Sequence, residues 1–317
     1  MKLQTQIPLQ PQQYNQIDYH SRLLLFGSCF SENIGDKFAY HKFQTVVNPF
    51  GILFHPLAIE NLITRAINKD YYTEEDLQFY NEQWFCLDAH SKLNQTSKEE
   101  LLKVLNFQID KTYNDLLSTT HIIITLGTSW VYRDIESDNV VANCHKLPQN
   151  KFLKELLSVE QISESLEGII SLVKNVNPEV SFLFTVSPVR HTKDGFVENT
   201  LSKSHLITAI HQVVEPRQHL YYFPSYEIMM DELRDYRFYN ADMIHPNEIA
   251  ITYIWEKFEN VWLSSDALNI SEIVAAIQAK KAHRPFNPNS QAHQAFLAKL
   301  EIEIENLQIT YPHFNFN

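Results

Sequence analysis

Five times the chain runs through a stretch of apolar residues and stops on a turn signal. Leu23-Leu24-Leu25-Phe26 stops at Gly27, and Thr45-Val46-Val47 at Asn48-Pro49. Ile122-Ile123-Ile124-Thr125-Leu126 stops at Gly127, Phe182-Leu183-Phe184-Thr185-Val186 at Ser187-Pro188, and Leu220-Tyr221-Tyr222-Phe223 at Pro224. Several of these runs are continuous rather than alternating, as strands buried on both faces of a parallel sheet must be. Segments of helical period lie between them, at 31–40, 56–68, 97–117, 159–176, 199–214 and 246–263. This alternation predicts an α/β fold with strands at about 22–26, 44–47, 121–126, 181–186 and 220–223 in one parallel sheet, and helices on both faces. Right-handed crossovers then bring every strand's C-terminal end to one edge, with Gly27, Gly51, Gly127 and Asp242 at it.

Glycine usage sharpens this expectation. Average composition would supply roughly 22 glycines; the chain has six. Those that remain fall where positive φ or close backbone approach is needed, and Gly27, Gly51, Gly127 and Gly195 follow or interrupt strand ends. The pattern predicts a site built from loops at one sheet edge.

Two segments break the rhythm. Residues 70–118 read as a mostly helical insertion with a short apolar piece at Trp84-Phe85-Cys86-Leu87, and 131–145 reads as a β-hairpin. From about 265 onward the chain reads as a helical hairpin broken at 284–288, with Leu297, Leu300, Ile304 and Leu307 striping its last helix. The expected organisation is a main domain over 1–264 and a helical extension over 265–317 packed on it.

Charge and composition exclude several classes. With 26 Lys+Arg against 38 Asp+Glu, the net charge of −12 opposes nucleic acid or an anionic membrane as partner. There is no apolar run long enough to span a bilayer and no signal-peptide-like stretch in 1–18, so a cytoplasmic protein is expected. Cys29, Cys86 and Cys144 make neither a disulfide framework nor a CxxC pair. No structural zinc spacing, P-loop or G-x-G-x-x-G occurs, so neither a metal nor a cofactor is expected.

Two constellations carry chemistry. In Phe26-Gly27-Ser28-Cys29-Phe30-Ser31, a strand enters glycine, then two nucleophile-type residues, then a helix that opens near Ser31. A helix N-terminus lowers a thiol pKa and binds an oxyanion, so the Cys29 thiol is expected to ionise below its free value. In Asn240-Ala241-Asp242-Met243-Ile244-His245-Pro246, Asp and His lie three apart on a turn, with Pro246 expected in the first turn of the following helix. There His245 can act as general base and Asp242 can orient it.

Gly27-Ser28-Cys29-Phe30 together with Asp242 and His245 resembles the GSCFA-domain family of the SGNH (GDSL-like) hydrolases. Asn48-Pro49-Phe50-Gly51, Gly127-Thr128-Ser129-Trp130, Asn143-Cys144-His145-Lys146, Ser187-Pro188-Val189-Arg190-His191 and Tyr236-Arg237-Phe238-Tyr239 are similar to the family too. The resemblance spans about residues 20–260 and implies a three-layer α/β/α, SGNH-like (flavodoxin-like) fold. The superfamily's first block is Gly-Asp-Ser; here its third position is Cys29 and its second Ser28. Either a thiol replaces the hydroxyl or the register slips and Ser28 attacks, with Cys29 slightly favoured. Gly51 matches the second-block glycine. The third block's asparagine is replaced by Ser129, so a hydroxyl from Ser129 or an amide from Asn48 or Asn143 would join the backbone N–H groups of 27–30 at the oxyanion. His145 and Arg190 would bind substrate or tie down loops, Arg190 by gripping a carboxylate or phosphate. The implied activity is that of an acyl-ester hydrolase or O-acyltransferase acting through a covalent acyl intermediate on a small-molecule or carbohydrate ester. The alternative is a non-catalytic ligand-binding module of the same shape.

Overall fold

The computed structural model describes residues 5–316, so the first four residues of the Gln- and Pro-rich start lie outside it. In chain order the elements begin with β1 (Arg22–Gly27), α1 (Cys29–Tyr40), β2 (Gln44–Val47) and α2 (Pro56–Asn68). The insertion carries β3 (Leu77–Tyr80), β4 (Gln83–Cys86) and α3 (Lys98–Ser118). Then come β5 (His121–Leu126), β6 (Trp130–Asp134), β7 (Val140–Val141), β8 (Phe152–Leu156), α4 (Val159–Val176), β9 (Ser181–Val186) and α5 (Phe196–Val213). β10 (Leu220–Tyr222), the short α6 (Ser225–Glu227), α7 (Glu248–Trp262), α8 (Ser265–Ala282) and α9 (Gln291–Thr310) complete the chain.

The five expected strands form one parallel sheet in the order β10-β9-β5-β1-β2. Counted among themselves along the chain, that order is 2-1-3-4-5, a doubly wound arrangement whose strand order reverses between β1 and β5. The apolar runs are continuous because both faces of β1, β5, β9 and β10 are covered, while the edge strand β2 is half-buried throughout. Leu24, Phe26, Ile122, Ile124, Phe182 and Phe184 enter a core with α2, α3, α4 and α5. Leu23, Leu25, Ile123 and Leu183 enter a second core with α1, α7 and α8. No helix among the described residues is long and apolar enough to cross a membrane.

The reversal point fixes where a ligand crevice opens, outside the C-terminal ends of β1 and β5. Gly27 sits there at φ +134°, and a Cβ on it would lie 2.1 Å from the Thr125 carbonyl oxygen. Only glycine lets β1 pass that close to β5 and turn directly into α1.

Several local expectations need correction. The short apolar piece around Trp84, given no structure of its own in the insertion, is one strand of an antiparallel hairpin formed by β3 and β4. Its two turn residues, Asn81 and Glu82, both have positive φ, and a glutamate in that conformation hides the usual hairpin signal. The 131–145 hairpin forms as β6 and β7, and β8, which sequence periodicity missed, pairs on the other side of β6. α1 starts two residues early, because Ser28 rather than Ser31 caps it, its Oγ accepting from Phe30 N at 3.2 Å. α5 likewise starts at Phe196 instead of 199. Pro246 lies outside α7: Asn247 is the cap, and Pro246 bridges to Tyr239.

The C-terminal helices bury Ala267, Val274, Ile277 and Leu300 in the second core, alongside α1 and α7. Of the α9 stripe only Leu300 is fully buried; Leu297 is 42% exposed.

Candidate active site

The turn after β1 spends most of its backbone donors internally. Gly27 N donates to Asn48 Oδ1 at 2.9 Å, Ser28 N to the Thr125 carbonyl at 3.0 Å, and Ser31 N to the Ser28 carbonyl at 2.8 Å. Phe30 N is taken by the Ser28 cap. The expectation that the 27–30 N–H groups jointly hold an oxyanion is therefore corrected, since the tight turn consumes three of the four. Cys29 N–H remains, directed at its own side chain. Asn48 lies against this turn. Its Oδ1 is engaged by Gly27, while its Nδ2 is buried with no partner among the described residues. A buried, unpartnered amide donor at a strand end is costly unless a ligand completes it. Gly51 secures that geometry: at φ +76° it closes the turn by donating its N–H to the Asn48 carbonyl at 2.8 Å, and a Cβ there would lie 2.4 Å from His90 Cβ.

Cys29 is half-buried at the first position of α1, and Ser28 is 3% exposed. Burial pushes the Cys29 thiol up from its ordinary value, and Glu32 on the next turn adds to the rise. This reverses the expectation of a depressed thiol pKa: loss of hydration outweighs the helix end. The opposing influences are the Cys29 backbone N–H first, then the charge of Lys203 and the Phe30 N–H.

Asp242 and His245 form a dyad at the same sheet edge. Asp242 Oδ2 lies 2.7 Å from His245 Nδ1, and Asp242 Oδ1 accepts from the backbone N–H groups of Ile244 and His245 at 2.9 and 3.0 Å. Those bonds, the His245 N–H first and its ring second, hold the Asp242 carboxyl at about 2. With Nδ1 occupied, His245 Nε2 is left to exchange a proton. The loop after β9 clamps this turn, with Arg190 N donating to the Ile244 carbonyl at 3.2 Å and Arg190 Nη1 to the Met243 carbonyl at 3.3 Å.

Two further buried groups belong to this edge: Lys203, which sequence reasoning did not place in the site, and His191, which the Ser187–His191 motif already set beside Arg190. Lys203 on α5 is 1% exposed, and its Nζ donates to the carbonyls of Gly127 and Ser187 at 2.6 and 2.7 Å. Burial pulls it down to about 7, while Cys29 pulls the other way. The signal was its phase: Asn199, Ser202, Lys203, Leu206, Ala209, Ile210 and Val213 are one buried helix face, so a lysine stands where the period calls for an apolar residue. His191 Nε2 is buried and unpartnered among the described residues, and a Cβ on Gly127 would lie 3.2 Å from it. Burial, then the charges of Lys203 and His245, depress the His191 imidazole to about 3, so it is neutral at every ordinary pH.

The remaining candidates separate. Ser129 is fully buried, its Oγ donating to the Ser202 carbonyl at 3.2 Å and its N to Ser202 Oγ at 2.8 Å. It pins the β5–β6 connection to α5 and is not an oxyanion donor. Asn143 Oδ1 accepts from His145 N, and His145 Nε2 is within 2.8 and 3.0 Å of the Cys86 and Ala89 carbonyls while its ring stacks on Phe85. These bonds run to the β3–β4 hairpin, not to Cys29, Asp242 or His245, so the tract is an anchor. Burial lowers the His145 pKa to about 4. Arg190 does face a cavity of about 500 Å³, with Phe196, Tyr226, Met230, Tyr236 and Tyr239 around it. Its guanidinium lies 5.1 Å from the Phe196 ring and 5.4 Å from that of Tyr239, with no carboxylate in ion-pair range among the described residues. A second cavity, about 470 Å³, opens between α1 and α7, lined by Lys37, His41 and Trp255 rather than by the strand ends.

Compared with known families, the chain matches the model of the GSCFA family over residues 22–258. It also matches that of the GSCFA domain protein, C-terminal domain, over 274–317, a boundary falling inside α8. No curated protein matches it.

Proposed function

The chain belongs to the GSCFA family, and from that premise we propose that it is an acyl-transfer enzyme of SGNH type, an ester hydrolase or an O-acyltransferase. The observation that carries this reading is the Asp242–His245 contact of 2.7 Å at the edge where β1 delivers Ser28 and Cys29. Cys29 (or Ser28) attacks the acyl carbon as His245 Nε2 takes its proton. The C=O π pair moves onto oxygen, where Cys29 N–H and Asn48 Nδ2 receive it. Collapse expels the alcohol, protonated by His245, and leaves an acyl-enzyme that water or an acceptor hydroxyl resolves. Asp242 holds the ring and stabilises the imidazolium. Arg190 and its aromatic neighbours hold the non-reacting part of a small-molecule or carbohydrate ester. The cytoplasm is the proposed setting.

The raised Cys29 pKa and the use of Ser28 as a helix cap favour a second reading, a binding module that kept the crevice without turnover. A screen of short-chain aryl esters on wild type and His245→Ala separates the two. Turnover that disappears in His245→Ala supports the enzyme. Rates no higher than buffer alone in both proteins, alongside no labelling by a fluorophosphonate or iodoacetamide, leave only the binding module, and equal rates above buffer remove His245 from the reaction.

A further inference from the structure

Three arginines of this chain are half-buried: Arg65, Arg133 and Arg190. Two of them are paired. Arg65 lies over the Tyr72 ring at 4.3 Å, with Asp76 and Asp88 oxygens 3.2 and 3.3 Å from its nitrogens. Arg133 holds Glu155 at 2.9 Å. Arg190 has the rings without the carboxylate: Phe196, Tyr239 and Tyr236 stand 5.1, 5.4 and 6.0 Å from its guanidinium. Nη1 gives one N–H to the Met243 carbonyl, and the rest of the fork has no protein partner among the described residues. That fork lines the cavity of about 500 Å³. Rings beside a cation displace water from it, which strengthens its attraction for an anion that enters. Arg65 shows how this chain completes such a group when the carboxylate is its own; Arg190 leaves that place to a ligand.

The cavity wall decides which anion. Its charged residues are Arg190, Arg234, Asp231 and Asp235, the last tied to Arg237 at 3.0 Å. The signs balance, so a monoanion suits the cavity better than a phosphate dianion. A planar guanidinium fork also matches a planar carboxylate with two parallel hydrogen bonds. Phe196 and Tyr236 are 65% and 64% exposed, and they offer flat apolar surface beside Arg190. Asp231, Asn199 and Thr200 add hydroxyl-binding groups to the same wall. We propose that this cavity takes a uronic-acid-type ester, its hydroxylated ring on Phe196 and Tyr236 and its carboxylate on Arg190. The inference deepens the acyl-transfer reading and rests on it for the ester; the carboxylate site itself needs no reaction. Arg190 also joins the cavity to the dyad. Its backbone N and its Nη1 hold the Ile244 and Met243 carbonyls at 3.2 and 3.3 Å, and Met243 sits at φ +59°, a conformation that needs such support. The side chain that grips the carboxylate thus grips the turn presenting His245, and the uronate is the alcohol portion that His245 protonates as it leaves.

The test compares binding of glucuronate, glucose and glucose 6-phosphate to the full chain by ligand-observed NMR titration at about pH 7, where glucuronate is a carboxylate. Glucuronate should bind about tenfold or more tightly than glucose, the worth of one charged hydrogen-bonded pair, and more tightly than glucose 6-phosphate. Arg190→Gln should remove that advantage, and Arg190→Lys should restore only part of it, because an ammonium lacks the fork. Tyr236→Ala should weaken glucuronate and glucose alike. Because Arg190 also supports the dyad turn, a measurement on wild type stands beside the variants. Glucuronate should protect Arg190 from phenylglyoxal, read by peptide mass spectrometry, and glucose should not. Glucuronate binding no tighter than glucose, or no protection of Arg190, overturns the proposal. Tighter binding of glucose 6-phosphate also overturns it and makes the site one for phosphate. Arg190-dependent glucuronate binding in a chain that turns over no ester keeps the carboxylate site and removes the acyl-transfer reading. Ester turnover that is lost in His245→Ala, with no preference for glucuronate, does the reverse.

Discussion

Asp242 divides its labour: one oxygen shapes the turn through two backbone N–H groups, the other holds the imidazole. Because both oxygens serve His245, the two residues should act as one. His245→Ala is expected to cost about 10³-fold or more in kcat/KM and Asp242→Asn somewhat less, with the double variant hardly worse than His245→Ala. Losses that multiply would give Asp242 a separate job. The dyad was readable from sequence because a three-residue spacing on a turn is local information. Lys203 was not, because a lysine reads as surface unless its helix is already phased against the core, and the unpartnered Asn48 amide depends on contacts made across the sheet. Lys203 also predicts a pH effect on stability. Its folded pKa of about 7 lies below the ordinary 10.5, so the unfolded chain binds more protons in that window and wild-type stability rises with pH across it. Replacing Lys203 with Met should flatten this slope, so the variant gains on wild type as pH falls from 10 to 7. Parallel melting curves over that range would contradict the burial of the charge.

At the scale of elements, α1 separates the two candidate nucleophiles by the structural load each carries. Ser28 caps the helix and is buried, whereas Cys29 is the first helical residue and caps nothing. Ser28→Ala should cost about 1 kcal/mol of stability through the lost cap and spare turnover. Cys29→Ala should leave the melting temperature nearly unchanged and abolish turnover. The reverse pairing, activity lost with Ser28 and kept without Cys29, would give the nucleophile's role to the serine. The strands of the main sheet were legible because burial on both faces leaves an unbroken apolar run. The β3–β4 hairpin and β8 were not. Leu77-Gln78-Phe79-Tyr80 exposes three of its four residues, and Phe152-Leu153-Lys154-Glu155-Leu156 fully buries only Phe152, so the apolar signal is diluted. Helix starts shifted for a related reason: Ser28 and Ser31 are both good caps on paper, and only the Ser31 Oγ bond to the Phe26 carbonyl, 3.0 Å, shows which is already spent.

At the scale of the whole molecule, the sheet has two cores, and the C-terminal helices help to close only one. Tyr19 stacks on Phe43 at 4.3 Å and meets Phe314 edge-on at 5.0 Å, while His41 bonds to Ser271 Oγ at 2.8 Å. Deleting residues 265–317 should therefore uncover this aromatic face. The shortened chain is expected to bind a hydrophobic dye and to melt at least roughly 10 °C lower, or to be recovered only as aggregate. An unchanged melting temperature would make the extension a separate unit. The second core also holds two of the four tryptophans, Trp255 and Trp262, at 3% and 2% exposure, while Trp84 and Trp130 lie outside both cores' fully buried sets. With the half-buried Trp84, which packs against the first core, and Trp130 replaced by Phe, the molecule would carry a fluorescent label on one side of its sheet. A red shift in emission would then report the α1–α7–α8 side giving way, whereas far-ultraviolet ellipticity sums over both sides. Overlaying the two signals during denaturation would reveal whether the halves part together or in turn, with no dye attached.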